Sequence, residues 1–204
     1  MKVRLASCCL LAIAISVSSS AIAQMAAAPQ TAPQTAPKPA ALPPATVSMV
    51  VDKQISSFEK EFFSAAEAMP ADKYNFAPTT GEFKGVRTFA QQVKHVAVAN
   101  NIMWSAAAGE KPTVDPSQEN GPESMTNKDD IVKFLKDSFA VGHHAAQTLT
   151  NENFLERTEI PWGKAPRVYW ATGAIEHGGD HYGQMVVYLR LNGIIPPASM
   201  PEKK

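Results

Sequence analysis

The stretch Glu176-His177-Gly178-Gly179-Asp180-His181-Tyr182-Gly183-Gln184 sits inside a long, largely apolar segment running from Arg167 to Asn192. Within it Trp170, Ala174, His177, His181, Gln184, Tyr188 and Leu191 recur at spacings of three or four, the stripe a helix turns toward a bundle core. Residues four apart on a helix share a face, with Cβ atoms about 5–6 Å apart, so the two imidazoles can converge on a single ion. A core imidazole without a partner leaves a desolvated ring nitrogen, at about 1–3 kcal/mol. A divalent cation would remove that cost by taking one nitrogen from each ring, and the other nitrogen would then need an acceptor. Gly178 and Gly179 each cost about 1 kcal/mol relative to alanine in a helix interior, so close helix contact or room for a ligand should compensate. The arrangement is not the His-Glu-x-x-His of metalloproteases, because Gly178 stands where that motif needs its general base.

Three further segments read as helices. The first, about Thr46–Met69, carries Val47, Val51, Ile55, Phe58, Phe62, Ala65 and Met69 at bundle spacing and stops at Pro70. The second starts at Thr88 as N-cap and runs to about Ala108, with Phe89, Val93, Val96, Asn100 and Met103 on one face and Gly109 as its C-terminal cap. The third follows Thr126-Asn127-Lys128-Asp129 and continues to about Leu149 through Ile131, Leu135, Phe139, Gly142 and Ala146. The fourth begins after Pro166 and ends near Asn192-Gly193. Apart from an ambiguous stretch at Thr158–Trp162, no period-two strand stands out. The expectation is an all-α four-helix bundle, the architecture in which metal sites are built from side chains on facing helices. The connections Pro70–Arg87 and Glu110–Met125 are long for tight hairpins, so one longer crossover connection is expected.

Ahead of this domain the chain begins Met1-Lys2-Val3-Arg4, continues through an apolar run from Leu5 to Val17, and reaches Ala21-Ile22-Ala23. Charged, apolar and small-residue regions in that order are those of a secretory signal peptide over residues 1–23, cleaved before Gln24. The apolar run is shorter than the roughly 20 residues that span a bilayer. Export to the periplasm or the extracellular space is therefore expected, with no transmembrane segment in the mature chain. Residues 24–45 repeat alanine, proline, glutamine and threonine and read as a disordered, semi-extended linker. Residues 46–204 are one domain's length. Both cysteines, Cys8 and Cys9, lie in the leader, which removes disulfides, cysteine-ligated zinc and a cysteine nucleophile from consideration. The leader also takes Lys2 and Arg4 from the 19 basic residues and none of the 19 acidic ones, and this balance argues against nucleic acid as a partner. No phosphate-binding glycine loop or serine elbow is present.

A catalytic zinc has three protein ligands and an open position, so a third donor must come from another helix. His95, beside the apolar face of the second helix, is one candidate; His143 and His144 on the third are the others, although adjacent residues point about 100° apart. Gln184, one turn after His181, could bond a metal-bound water or substrate or pair with a backbone group, and it and Asp180 are the candidates to support the ligands from behind. Glu176 reads as solvent-facing or supporting, and Trp104, Trp162, Trp170, Tyr182 and Tyr188 as core or interface residues.

The chain resembles the DinB/YfiT-like family of suspected metalloenzymes. The likeness rests on His95, on His177-Gly-Gly-Asp-His181-Tyr-Gly183-Gln184, on Tyr188-Leu189-Arg190, and on Gly193-Ile-Ile-Pro196-Pro197, with Pro70-x-Asp72-x-Tyr74-x-Phe76-x-Pro78 similar to the family's first connection. It covers about Val47 to Pro197. The resemblance implies a four-helix bundle with His95, His177 and His181 as metal ligands, and a homodimer is common among such relatives. Better-understood relatives act with low-molecular-weight thiols. Tyr182 stands where many members have a basic residue, so no role for it carries over.

The sequence thus leads to a divalent metal, zinc by default for three histidines, with nickel, iron and manganese open. A metal-dependent hydrolase or group transferase acting on an unknown small-molecule substrate is the leading reading. A non-catalytic metal- or partner-binding module of the cell envelope is the alternative. A fourth protein ligand would favour the second, since structural zinc sites are usually closed.

Overall fold

The structure, a computed structural model, describes residues 44–201. The leader, Cys8 and Cys9, and the linker up to residue 43 lie outside the described residues. Four helices carry the fold: α1 (Val47–Ala68), α2 (Phe89–Ala108), α3 (Lys128–Thr148) and α4 (Arg167–Leu191). Their starts follow from local chemistry. Thr46 caps α1 through Met49 N–H, Thr88 and Gln91 form a reciprocal capping box on α2, and Asn127 caps α3 through Asp129 N–H. Gly109 ends α2 in the left-handed conformation, φ 80°. Among the described residues no helix is long and apolar enough to cross a membrane.

The helices pack in the cyclic order α1, α3, α2, α4, so α1 and α2 face each other across a diagonal. Side-chain partners give their directions. Lys128 at the start of α3 bonds carbonyls at the end of α1, whereas the ends of α2 and α3 meet at Arg167, which bonds both the Ala108 carbonyl and Thr148 Oγ1, so α2 and α3 run in the same sense. Arg167 at the start of α4 bonds Ala107 and Ala108 at the end of α2. The order is up, down, down, up. Because α2 and α3 are parallel neighbours, residues 109–127 must return along the length of the bundle, and this is the long crossover.

The crossover is fastened to α2. Lys94 Nζ donates to the carbonyls of Pro122 and Met125, and Arg87 Nε donates to Asn120 Oδ1. Gly121, at φ 68°, lies so close that a Cβ there would stand 2.7 Å from Lys94 Cβ. Flanked by two helices and roofed by this strap, α2 is buried almost all round, including Gln92, Lys94, Asn100 and Asn101. That is more than the single face its apolar spacing marked out.

Two expectations need correction. The fold is not purely helical: Arg157–Ile160 and Gly163–Pro166 form an antiparallel hairpin between α3 and α4, with Pro161 and Trp162 at its turn. Thr158 Oγ1 anchors it to the carbonyl of Ala106. The stripe on α4 also ends differently, for Leu191 is 56% exposed while Met185 and Leu189 are buried. The spacing 170, 174, 177, 181, 184, 188, 191 repeats every seven residues, and a straight helix drifts about 20° per heptad against it. Three heptads carry Leu191 out of the core.

Candidate metal centre

Three side chains meet where α2 and α4 run antiparallel. His177 Nε2 lies 3.1 Å from His95 Nε2 and 3.2 Å from His181 Nε2, and the three donor atoms all fall within 4.8 Å of one another. Nitrogens each about 2.0–2.1 Å from a zinc ion stand about 3.0–3.4 Å apart. His143 and His144 are elsewhere, bonded to carboxylates: His143 to Asp52 and Glu59, His144 to Glu110. Among the described residues no fourth histidine, cysteine or carboxylate joins the cluster.

The outer nitrogens decide the tautomers. His95 Nδ1 is 2.6 Å from the carbonyl of Glu119, which can only accept, so Nδ1 carries the proton and Nε2 is a bare lone pair. For His181 the direction is set from farther away. The Asp180 carboxylate accepts from Gln184 Nε2 at 3.0 Å, leaving Gln184 Oε1 to accept from Gln92 Nε2 at 2.8 Å. Gln92 Oε1 then accepts from His181 Nδ1, and His181 Nε2 is bare as well. Asp180 and Gln184 thus connect to His181 only through Gln92, which is the residue that touches the ring.

His177 completes the group without such an anchor, its Nδ1 being buried and unpartnered. A proton on its Nε2 could serve one neighbouring lone pair, leaving the other unmet and Nδ1 without a donor. A single cation satisfies all three inner nitrogens at once. Burial, and then the neighbouring rings, push His177 and His181 down to about 4, and burial also lowers His95, so all three are neutral at pH 7. Neutral imidazoles are the form that binds a metal.

Gly178 and Gly179 separate the two histidines on α4, and the structure treats them differently. A Cβ on Gly178 would collide with Phe58 Cζ, so this glycine lets α4 close onto α1. Nothing lies within 4 Å of a Cβ built on Gly179, and nothing in the structure explains that glycine.

Two cavities reach His177. One, of about 250 Å³, runs along α2 from His95 beneath the crossover; the other, of about 440 Å³, follows α4 past Glu176 and Asp180. Trp162 and Met103 line both. Trp162 is 52% exposed, so of the two roles open to it, core or interface, the core is excluded and it stands as a wall of these cavities.

A family model described as the DinB superfamily matches residues 54–185. Among solved structures, a DinB-like protein from Bacillus cereus ATCC 10987 aligns with a TM-score of 0.59 at 16% identity, covering 74% of this chain and 96% of its own. A DinB-like protein from Bacillus subtilis, YjoA, aligns with a TM-score of 0.54 at 19% identity, covering 71% and 92%. At such identities the structural likeness speaks for the fold. None of the curated proteins matches the sequence.

Proposed function

The chain belongs to the DinB superfamily, and on that premise we propose that it is an exported protein holding one divalent metal through Nε2 of His95, His177 and His181, and using it in hydrolysis or group transfer on a small molecule. The observation that carries this reading is the convergence of three inner nitrogens, two of them fixed as lone pairs by carbonyl acceptors behind them. When bound, such an ion supplies Lewis acidity, polarising an oxygen or sulfur placed against it and acidifying an attacking water or thiol. Zinc suits three imidazoles, and the same donors also accommodate nickel, iron or manganese.

The protein's own residues supply orientation. The Glu119 carbonyl and Gln92 keep His95 and His181 turned inward, and the Gln184 to Asp180 chain holds Gln92 in turn. Three donors without a fourth among the described residues, beside two cavities, favour a site with room for a substrate over a closed structural one. The leader-like residues 1–23 and the following linker support export and a mature chain starting at Gln24.

Elemental analysis of protein purified without a histidine tag tests the centre. About one equivalent of metal is expected in the wild type and a loss in His177→Ala; no metal in either, or equal metal in both, removes the assignment.

A further inference from the structure

We infer that the ligand of this centre is a neutral molecule with an aryl or short alkyl group, presenting one oxygen or sulfur to the three inner nitrogens while its apolar part fills the slot along α2. The inference rests on the metal reading for the donor atom and on the slot alone for the apolar part.

The slot follows from helix geometry. Val98, Ala99 and Met103 stand three, four and eight residues after His95, so they extend the same face of α2 by about two turns, roughly 12 Å. Pro116 of the crossover and Trp162 of the hairpin close it. Its volume of about 250 Å³ exceeds the roughly 150 Å³ that suffices for a benzene ring.

The polar inventory is sparse. Beyond the two histidines at its inner end, the one charged residue on the wall is Glu119, whose side chain is 67% exposed and pairs with Arg87 at 3.5 Å. Arg87, whose charge acts on all three histidines, is thereby engaged with Glu119 and Asn120. No lysine or arginine lines the slot among the described residues. An anionic tail would be desolvated there without a partner, whereas an apolar one gains burial. Trp162 is a large apolar side chain half in solvent, held over this space by a hairpin anchored to α2.

Zinc-loaded mature protein, its zinc content measured in parallel, should be titrated with acetohydroxamate, benzohydroxamate and the monohydroxamate of succinic acid, three probes whose shared chelating head cancels in the comparison so that only the tails are read. Benzohydroxamate should bind at least about ten-fold more tightly than acetohydroxamate, and the carboxylate-bearing compound no more tightly. Trp162→Ala should narrow that gap several-fold with zinc content unchanged. In metal-free wild type and in His177→Ala, benzyl alcohol should shift the Met103 methyl resonance while acetate does not. Equal affinity for the acetyl and benzoyl compounds on zinc-replete protein, or a Met103 signal indifferent to benzyl alcohol, would overturn the inference. Absence of zinc with a Met103 shift retained would remove the metal centre and still support the slot.

Discussion

Histidines occupy two opposite sides of the bundle, and the two sites use the ring in opposite ways. Where α1 meets α3, His143 Nδ1 lies 2.7 Å from Asp52 and Nε2 lies 3.1 Å from Glu59. Burial there lowers the imidazole's affinity for a proton, but the two carboxylates outweigh it and the pKa is raised. Where α2 meets α4, the partners behind His95 and His181 are neutral carbonyl oxygens, and burial with the neighbouring rings drives His177 and His181 down. One ring has both nitrogens committed to donating and reads as an ion pair. The other group holds two inner nitrogens as lone pairs against a third ring and reads as a seat for a cation. The element behind the ring, and not the histidine itself, decides which role it takes.

Removing a ring from each side should break the comparison most visibly. His177→Ala should lower metal affinity by more than the roughly 100-fold that marks the upper range for outer-shell partners, while His143→Gln should leave it unchanged, as isothermal titration with zinc would show. Gln92→Leu tests the carbonyl behind His181. Affinity should fall about 10- to 100-fold with stoichiometry preserved, because the ring loses its acceptor but not its place.

The glycines of α4 sharpen the contrast between the faces of that helix. Gly178→Ala drives a methyl into Phe58 and should destabilise by about 1–3 kcal/mol in chemical denaturation. Gly179→Ala, in open space, should stabilise by up to about 1 kcal/mol.

The smallest effect is in the pH dependence. His143 contributes stability that is fully present below its unfolded value of 6.5 and lost as pH rises through the raised folded value. His143→Gln should therefore cost about 0.5–1 kcal/mol at pH 5.5 and less at pH 9, a modest figure because the pair is partly solvated. The metal-free cluster has the opposite sign. Its histidines favour the fold above pH 6.5, and that support drains away as pH falls toward about 4. Melting curves of the metal-free wild type and the variant across this range separate the two.

Much of this was legible in the residues. Thr88 and the Thr126-Asn127-Lys128-Asp129 pattern marked the starts of α2 and α3 because capping chemistry is local, although the residue that caps α3 is Asn127, and the pair four apart on α4 announced a shared face. The resemblance, and not the spacing, selected His95 over His143 and His144, since periodicity alone does not say which helices become neighbours. Of the hairpin only the ambiguous stretch Thr158–Trp162 showed, because four-residue strands carry little pattern, and without its second strand the position of Trp162 did not follow. Gln92 escaped too, although a glutamine three residues before His95 on so apolar a helix was a signal. Its partner, His181, is 89 residues away, and only the antiparallel packing of α2 on α4 brings them together.

X-ray absorption at the zinc edge of tag-free, zinc-loaded protein addresses the centre most directly. Three imidazole nitrogens at about 2.0–2.1 Å with at least one exchangeable oxygen donor are expected. A spectrum fitted by fewer than three imidazoles, or one unchanged in His181→Ala, would contradict the account.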